Sequence, residues 1–190
     1  MIDDLYTRFY KVDPNVGIAC LYADYKDKNN QTLAHILGSF LHQLLTTALK
    51  FIPDEVIGTL KDIRQRGGKA GSEAILALLR IWLQQLKYAF ICIDAVDELE
   101  LEVQQEILNV LRDLGTNNTR IFLTGRSHIE GEVQKRLQIT QEYRVDLTAS
   151  QQDIRDFLEQ KINDDRHPDA MDGKLAKDIE NAIVQKSQGM

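Results

Sequence analysis

The sequence lacks the features that mark secreted and membrane-spanning chains. Its only two cysteines, Cys20 and Cys92, each lie in an apolar run without a partner at metal-ligand spacing, so we expect buried, reduced thiols. No apolar run approaches the roughly 20 residues that a membrane-spanning helix needs. The acidic start Met1–Leu5 differs from the basic start of a signal peptide. We therefore predict a soluble, cytoplasmic protein.

The balance of charge argues against a nucleic-acid-binding protein. The net charge is −6 and the lysines and arginines form no dense stripe, whereas nucleic-acid platforms gain much of their affinity by neutralising phosphates. We therefore expect neither nucleic acid nor a membrane as a partner. The length of 190 residues is enough for one buried core, alone or with a small helical appendage.

Strand and helix patterns alternate along most of the chain. Short apolar or alternating segments predict strands at residues 16–23, 88–93, 120–124 and 143–147. Apolar residues at helical spacing predict helices over residues 33–45, 75–86 and 103–114. This alternation predicts an α/β fold, a parallel sheet flanked by crossover helices.

The last part of the chain has only helical patterns. Ser150 has the character of a helix N-cap, and Asp153 lies where a helix N-terminus favours a carboxylate. Apolar residues at helical spacing predict one helix over 154–162 and another over 175–183. We therefore predict an α/β core over residues 1–148 and the start of a helical subdomain over residues 149–190.

The most informative segment is an apolar run that ends in carboxylates. Phe90–Ile93 is followed by Asp94, Asp97 and Glu98, and ligands of parallel α/β sheets bind beyond the carboxyl ends of the strands. Mg²⁺ prefers a few carboxylate oxygens together with phosphate and water. We therefore expect Asp94 to hold a phosphate-bound Mg²⁺, and Asp97 and Glu98 to orient a water.

A second apolar strand ends in a hydroxyl, a glycine and an arginine. In Ile121–Ser127, an arginine at the position of Arg126 can contact a γ-phosphate oxygen. The alternative is structural, because acidic residues are common at helix N-termini: Asp97 and Glu98 could simply begin the next helix, and Asp94 could cap its strand. The two motifs together are more specific than either alone.

These segments resemble those of a known family. Phe90–Glu98 resembles the Walker B motif of NACHT-type STAND nucleotide-binding proteins, an apolar run followed by Asp, a small residue, any residue and two acids. Leu123–Ser127 is similar to their sensor 1 strand, often Thr-Ser-Arg-Pro and here Thr-Gly-Arg-Ser. Val16–Tyr25 and Asp146–Leu158 resemble the second strand and the strand-to-helix exit of the nephrocystin-type NACHT modules abundant in filamentous fungi.

The resemblance implies a P-loop NTPase-like fold and a signalling function. In such proteins, of the NOD-like receptor type that acts in innate immunity, ATP or GTP with Mg²⁺ switches a closed form to an oligomerising one. By resemblance, Asp94 is the Mg²⁺-associated acid, Asp97 and Glu98 polarise water, and Thr124 and Arg126 contact the nucleotide. The implied partners are the nucleotide, other copies of the protein, an upstream effector domain and downstream repeats.

The family's P-loop, Gly-x-x-x-x-Gly-Lys-[Ser/Thr], does not occur in this sequence. Its backbone N–H groups and lysine supply most of the phosphate contacts. The one similar stretch, ending at Gly67-Gly68-Lys69-Ala70, has Ile63 in place of the first glycine and no hydroxyl at its end. No apolar strand leads into it. We therefore do not expect this chain to bind or hydrolyse a nucleotide on its own.

The family's order of motifs places the P-loop and its strand before Met1. Leu5–Tyr10 would then be the tail of the helix that follows the P-loop, and the chain would be a fragment. Because the P-loop strand lies beside the sensor 1 strand in that fold, we expect Ile121–Leu123 to have an open apolar edge, which invites pairing with another chain.

Three functions are left open. The first is a partial nucleotide-binding signalling module whose longer parent is an NTPase. The second is a nucleotide-independent interaction or structural module derived from the same fold. The third, a two-carboxylate hydrolase that needs no P-loop, is disfavoured because no second metal-ligand cluster accompanies Asp94.

Overall fold

The computed structural model describes residues 2–13, 15–27, 30–47, 52–65, 67, 70–115, 118–147, 149–164 and 173–187. Gly68 and Lys69, from the rejected P-loop candidate, lie outside the described residues. The chain divides into two compact units, Met1–Gln141 and Glu142–Met190, and each is described by itself. The boundary predicted from the sequence lies between residues 148 and 149.

The first unit alternates helices and strands. It begins with α1 (Ile2–Leu5), which continues as a π-helical segment (Tyr6–Tyr10). The remaining elements are β1 (Val16–Tyr22), α2 (Leu33–Thr47), α3 (Asp54–Gln65), α4 (Ser72–Gln85), β2 (Tyr88–Asp94), α5 (Leu101–Leu114), β3 (Thr119–Leu123) and α6 (Glu130–Leu137). Short 3₁₀ turns at Val96–Glu98 and Ser127–Ile129 follow β2 and β3.

The three strands form one parallel sheet in the order β1-β2-β3. The register pairs Tyr22 with Asp94 and Ile93 with Leu123, so all three strands end at the same edge of the sheet. The interior of β2 is buried throughout, as expected for a central parallel strand covered on both faces. The predicted α/β fold, a parallel sheet flanked by helices, is thus confirmed.

The two faces of the sheet are covered unequally. One face carries the main core, in which Ala19 and Ile91 of neighbouring strands lie in one cluster with Phe40 of α2, Trp82 of α4 and Ile107 of α5. These five side chains are all nearly or fully buried. The hydrophobic effect on this face therefore fixes the sheet against three helices.

The opposite face has a smaller cluster built around the start of the chain. Leu5 of α1 packs there with Ile18 and Phe90. Cys20 and Cys92 also lie on this face, directly opposite one another in the register, as free thiols. Burial raises the pKa of Cys20 and raises that of Cys92 to about 12, so both thiols stay protonated and unreactive near neutral pH.

The sequence patterns predict neither α3 nor α6. The signals for α3 were present, because Asp54 and Glu55 begin it, Arg64 ends it and Val56 is buried on its inward side. The helix α6 is only eight residues long and has no buried residue. Its apolar pattern is therefore too weak to be distinguished from that of a loop.

The strand predicted at 143–147 is wrong. A 3₁₀ turn at Gln141–Tyr143 is followed there by irregular chain. Tyr143, Val145 and Leu147 are 73%, 79% and 86% exposed. An alternating strand is stable when its apolar face is buried against a core, and no part of the chain that the structure describes covers this one.

The second unit contains the two predicted helices, α7 (Gln151–Asn163) and α8 (Gly173–Ser187). The Ser150 hydroxyl accepts a hydrogen bond from the N–H of Asp153 (3.1 Å), and the Asp153 carboxylate accepts one from the N–H of Ser150 (2.9 Å). This capping box confirms the predicted N-cap, and its hydrogen bonds lower the pKa of Asp153. Arg155 of α7 forms an ion pair with Glu180 of α8.

At Cys20, the edge of the sheet at β1 is covered by a side chain. The N–H of Cys20 donates to Gln43 Oε1 (2.8 Å), and Gln43 Nε2 donates to the carbonyl of Cys20 (2.9 Å). The side-chain amide of Gln43, on α2, therefore makes the two hydrogen bonds that a neighbouring strand would make. Such covering protects an edge strand from pairing with another chain.

The edge at β3 differs. Thr124, just beyond β3, directs its N–H and carbonyl toward β2, so by the alternation of a strand Ile121 and Leu123 direct theirs away from β2. Among the described residues, no other strand pairs with β3, and Phe122 is 38% exposed. Within the described residues the sheet therefore ends at β3, with the main-chain groups of Ile121 and Leu123 on its outer side.

We expect Gln43→Ala to lower the free energy of unfolding by about 1–3 kcal/mol, because the part-buried N–H and carbonyl of Cys20 lose their partner. Urea unfolding measures the change. His42→Ala, an exposed neighbour on the same helix, is the control and should change stability by no more than about 0.5 kcal/mol. Equal losses in the two variants would contradict the role of the amide.

We also expect the chain on its own to be poorly stable or to self-associate through the β3 edge. Sedimentation velocity at increasing concentration should show species larger than the monomer. Phe122→Lys, which places a charge at the edge, should reduce association, whereas Tyr143→Lys, which replaces an exposed aromatic outside any strand, should not. A soluble monomer with a sharp unfolding transition would contradict this expectation.

Candidate functional site

The predicted site residues come together at the carboxyl edge of the sheet. Asp94 is the last residue of β2, and Asp97 and Glu98 lie in the 3₁₀ turn that follows it. Thr124 and Arg126 follow β3. Because β2 and β3 are parallel neighbours, the two strand exits lie side by side.

Thr124 joins the ends of the two strands. Its hydroxyl donates a hydrogen bond to Asp94 Oδ1 and accepts one from the N–H of Ala95 (2.8 Å). Its main-chain N–H donates to the carbonyl of Ile93 (3.0 Å), and its carbonyl accepts from the N–H of Val96 (2.9 Å). The hydroxyl of Thr124 is therefore committed to orienting Asp94.

The chain turns sharply after Asp94. Ala95 has a left-handed backbone conformation with φ of 54°, which a β-branched or bulky residue adopts only under strain. The turn sends the next side chain, Val96, into the core. Gln104 of α5 then fastens the turn, because its Nε2 donates to the carbonyl of Val96 (3.1 Å).

Gln104 was not among the predicted site residues, although the sequence carries a signal for it. It lies one helical turn before Ile107 and Leu108, on the inward face of α5, and is 5% exposed. A polar side chain on the apolar face of an amphipathic helix needs a hydrogen-bond partner. That partner proves to be the turn that carries Asp97 and Glu98.

Asp97 and Arg126 contact one another twice. The main-chain N–H of Arg126 donates to Asp97 Oδ1 (3.3 Å), and Arg126 Nε lies 3.5 Å from Asp97 Oδ2. The Asp97 side chain is 4% exposed, whereas that of Arg126 is 73% exposed. One end of this pair is therefore fixed in the protein, while the guanidinium reaches into solvent.

Glu98 links the exits of the two outer strands. Its Oε1 lies 3.7 Å from a terminal nitrogen of Arg126, and its Oε2 accepts a hydrogen bond from the N–H of Tyr25 (3.4 Å), just beyond β1. The contribution of Tyr25 could not be predicted from the sequence, because it depends on the strand register and involves only the main chain.

Gly125 allows the loop after β3 to approach the turn after β2. A Cβ at this position would lie 3.3 Å from both Asp97 Oδ1 and Val96 Cγ1, and 2.7 Å from Ile129 Cδ1. These contacts are tighter than side chains normally make. They give a reason for a residue without a side chain at this position, where the resemblance suggests serine.

The residues of the site fit a metal ion whose ligands come partly from phosphate and water better than one held by the protein alone. No group of three or more His, Cys, Asp or Glu residues that could hold a metal ion occurs within the described ranges. Asp94 is exposed at the edge of the sheet. A carboxylate of this kind can serve Mg²⁺ as one ligand when phosphate and water oxygens supply the others.

The fold and this edge define the class of the protein. A parallel sheet flanked by helices, with acids and an arginine at its carboxyl edge, gives an α/β protein with P-loop-like architecture. The chain belongs to the family described as Nephrocystin 3, N-terminal, whose model matches residues 1–126. That range includes all three strands and every predicted site residue. It confirms the nephrocystin-type resemblance for the segment 16–25, whereas the segment 146–158 lies outside the match.

Two further comparisons gave no match, one with curated proteins and one with solved structures. The family assignment therefore rests on the sequence of the first unit. In the ranges that the structure covers, no helix has the length and apolar character needed to cross a membrane.

We expect Gly125→Ala to destabilise the protein by about 1–3 kcal/mol, because the added methyl group crowds Ile129, Val96 and Asp97. Gly131→Ala is the matched control, since a Cβ there meets no atom within 4 Å. Gly131 lies within α6, where alanine should stabilise by about 0.5–1 kcal/mol. Urea unfolding measures both changes. If the midpoints of the two variants shift in the same direction, the close approach of the loop after β3 to the turn after β2 is contradicted.

Proposed function

We propose that the first unit is the magnesium-facing and water-facing part of a NACHT-type nucleotide-binding module. In this proposal, ATP or GTP controls the association of a signalling protein of the NOD-like receptor type, acting in the cytoplasm. The observation that carries it is the hydrogen bond between Thr124 and Asp94 beside the Asp97–Arg126 pair. Membership of the nephrocystin 3 N-terminal family supports it.

The exposed charged groups of the edge each have a role in this proposal. Asp94, oriented by the Thr124 hydroxyl, would hold Mg²⁺ that is shared with the nucleotide phosphates. Glu98, whose side chain is 25% exposed, would orient a water. The guanidinium of Arg126 is accessible and has the geometry to recognise phosphate oxygens.

The phosphate-binding loop must come from elsewhere in this proposal. None of the 190 residues forms a P-loop motif, and that loop supplies most of the contacts to the phosphates. We therefore propose that the nucleotide site is completed only in a protein that also contains a P-loop. Effector domains, repeat domains and further copies of the protein are the partners that follow from such a module.

A nucleotide-independent interaction module is the second candidate. It is favoured by the ion pairs that already occupy Arg126 and by the missing P-loop motif. A two-carboxylate hydrolase is a weaker third candidate, because no metal-holding cluster occurs among the residues with a described placement.

Isothermal titration with Mg²⁺–ATP and Mg²⁺–GTP separates the first two candidates. We expect no measurable binding by the 190-residue chain, because a P-loop motif is missing from its sequence. We expect binding by a chain extended with the sequence encoded upstream of Met1, if that sequence contains a strand and a P-loop. Failure of the extended chain to bind would favour the interaction module.

In a chain that binds, Asp94→Asn should weaken the affinity for Mg²⁺–nucleotide about tenfold or more, because it removes a charged ligand of the metal. Glu102→Gln is the matched control, since Glu102 is an exposed acid in the first turn of α5. It should leave the affinity unchanged. Equal losses in both variants would indicate a general effect of charge and not a metal site.

A further inference from the structure

We infer that Asp97 is a positioning residue, which fixes the loop after β3 and aims Arg126, and that Glu98 is the acid left to face a water. The sequence predicts that Asp97 and Glu98 both orient a water, whereas here only Glu98 keeps that role. Its link to nucleotide rests on the proposed function. The contacts from which it is inferred are all between groups of the protein, without a nucleotide.

Asp97 is more deeply buried than Glu98. The Asp97 side chain is 4% exposed and that of Glu98 is 25% exposed. A carboxylate that activates a water must be within hydrogen-bond reach of that water, and Asp97 is closed off by the protein around it. A buried carboxylate must instead be paired within the protein.

Asp97 is paired within the protein by Arg126. Both oxygens of Asp97 are used by the same residue, one by the main-chain N–H of Arg126 and the other by its Nε. Asp97 therefore fixes both the backbone and the inner part of the Arg126 side chain. Gly125 permits this contact, because a Cβ there would lie 3.3 Å from Asp97 Oδ1.

The outer end of the Arg126 side chain is held only weakly. Its terminal nitrogen lies 3.7 Å from Glu98 Oε1 and its side chain is largely exposed, and exposed ion pairs of this kind are weak. A phosphate oxygen can therefore replace Glu98 at the guanidinium while Asp97 keeps its hold. This exchange releases Oε1 of Glu98 at the same moment as it engages Arg126, while Oε2 keeps its hydrogen bond from the N–H of Tyr25.

Two measurements on the full chain, without nucleotide, test the inference. Hydrogen exchange followed by mass spectrometry reports the protection of the segment 124–129. Modification by phenylglyoxal reports the accessibility of the Arg126 guanidinium. Arg8 is the internal reference for the second measurement, because its side chain is 70% exposed and paired with Asp4, outside the site.

We expect Asp97→Ala to raise both the exchange of 124–129 and the modification of Arg126, the first by about tenfold, as for loss of a hydrogen bond to a charged group. Asp97→Asn should separate them, because its amide oxygen still accepts the main-chain N–H while the charge is lost. Its exchange should stay near that of the parent and its modification rate should rise. A packing role alone would not produce this separation.

Glu98→Gln is the matched control and should leave the exchange of 124–129 unchanged. The inference is overturned if Asp97→Ala leaves that exchange unchanged, or if Glu98→Gln raises it as much. Should Asp97→Ala fail to fold, the separation in Asp97→Asn decides the matter. Because neither measurement needs nucleotide, failure of the extended chain to bind nucleotide would overturn the proposed function without affecting this result.

Discussion

The joining of two strand ends by Thr124 is the interaction on which the rest of the site depends. Its main chain extends the pairing of β3 with β2 by one residue, and its hydroxyl connects Asp94 with the N–H of Ala95. Hydrogen bonds across neighbouring parallel strands fix relative position to within a fraction of an ångström. The acids after β2 and the arginine after β3 are therefore held in one frame.

The turn after β2 is held in place by the hydrophobic core. The left-handed turn at Ala95 costs backbone energy, which the burial of Val96 and the hydrogen bond from Gln104 offset. The site is thus built on a rigid sheet and the first turn of α5, while the groups that reach solvent, Arg126 above all, remain free to exchange partners. Placing a site on rigid elements of the scaffold gives its groups a more precise position than loops would.

The sequence is most informative where burial and periodicity determine structure. The continuous apolar run of Phe90–Ile93 identifies a buried parallel strand, and the acids that follow it point to the ligand edge of the sheet. Alternation at 143–147 misleads, because a period of two predicts a strand only where something covers its apolar face. Contacts such as that of Tyr25 with Glu98 depend on register and main-chain geometry, which residue types alone do not encode.

The side-chain amide of Gln43 occupies the main-chain groups of Cys20, so the two edges of the sheet differ in how readily they can take a further strand. Because the main chain of Cys20 is already paired, a further strand would be added more readily beside β3 than at this residue of β1. A parallel strand added there would end next to Thr124 and Arg126, so the loop that follows it would arrive directly at the acids and the arginine. Extending the sheet and completing the pocket would then be a single assembly step, with the geometry of the second set by the first.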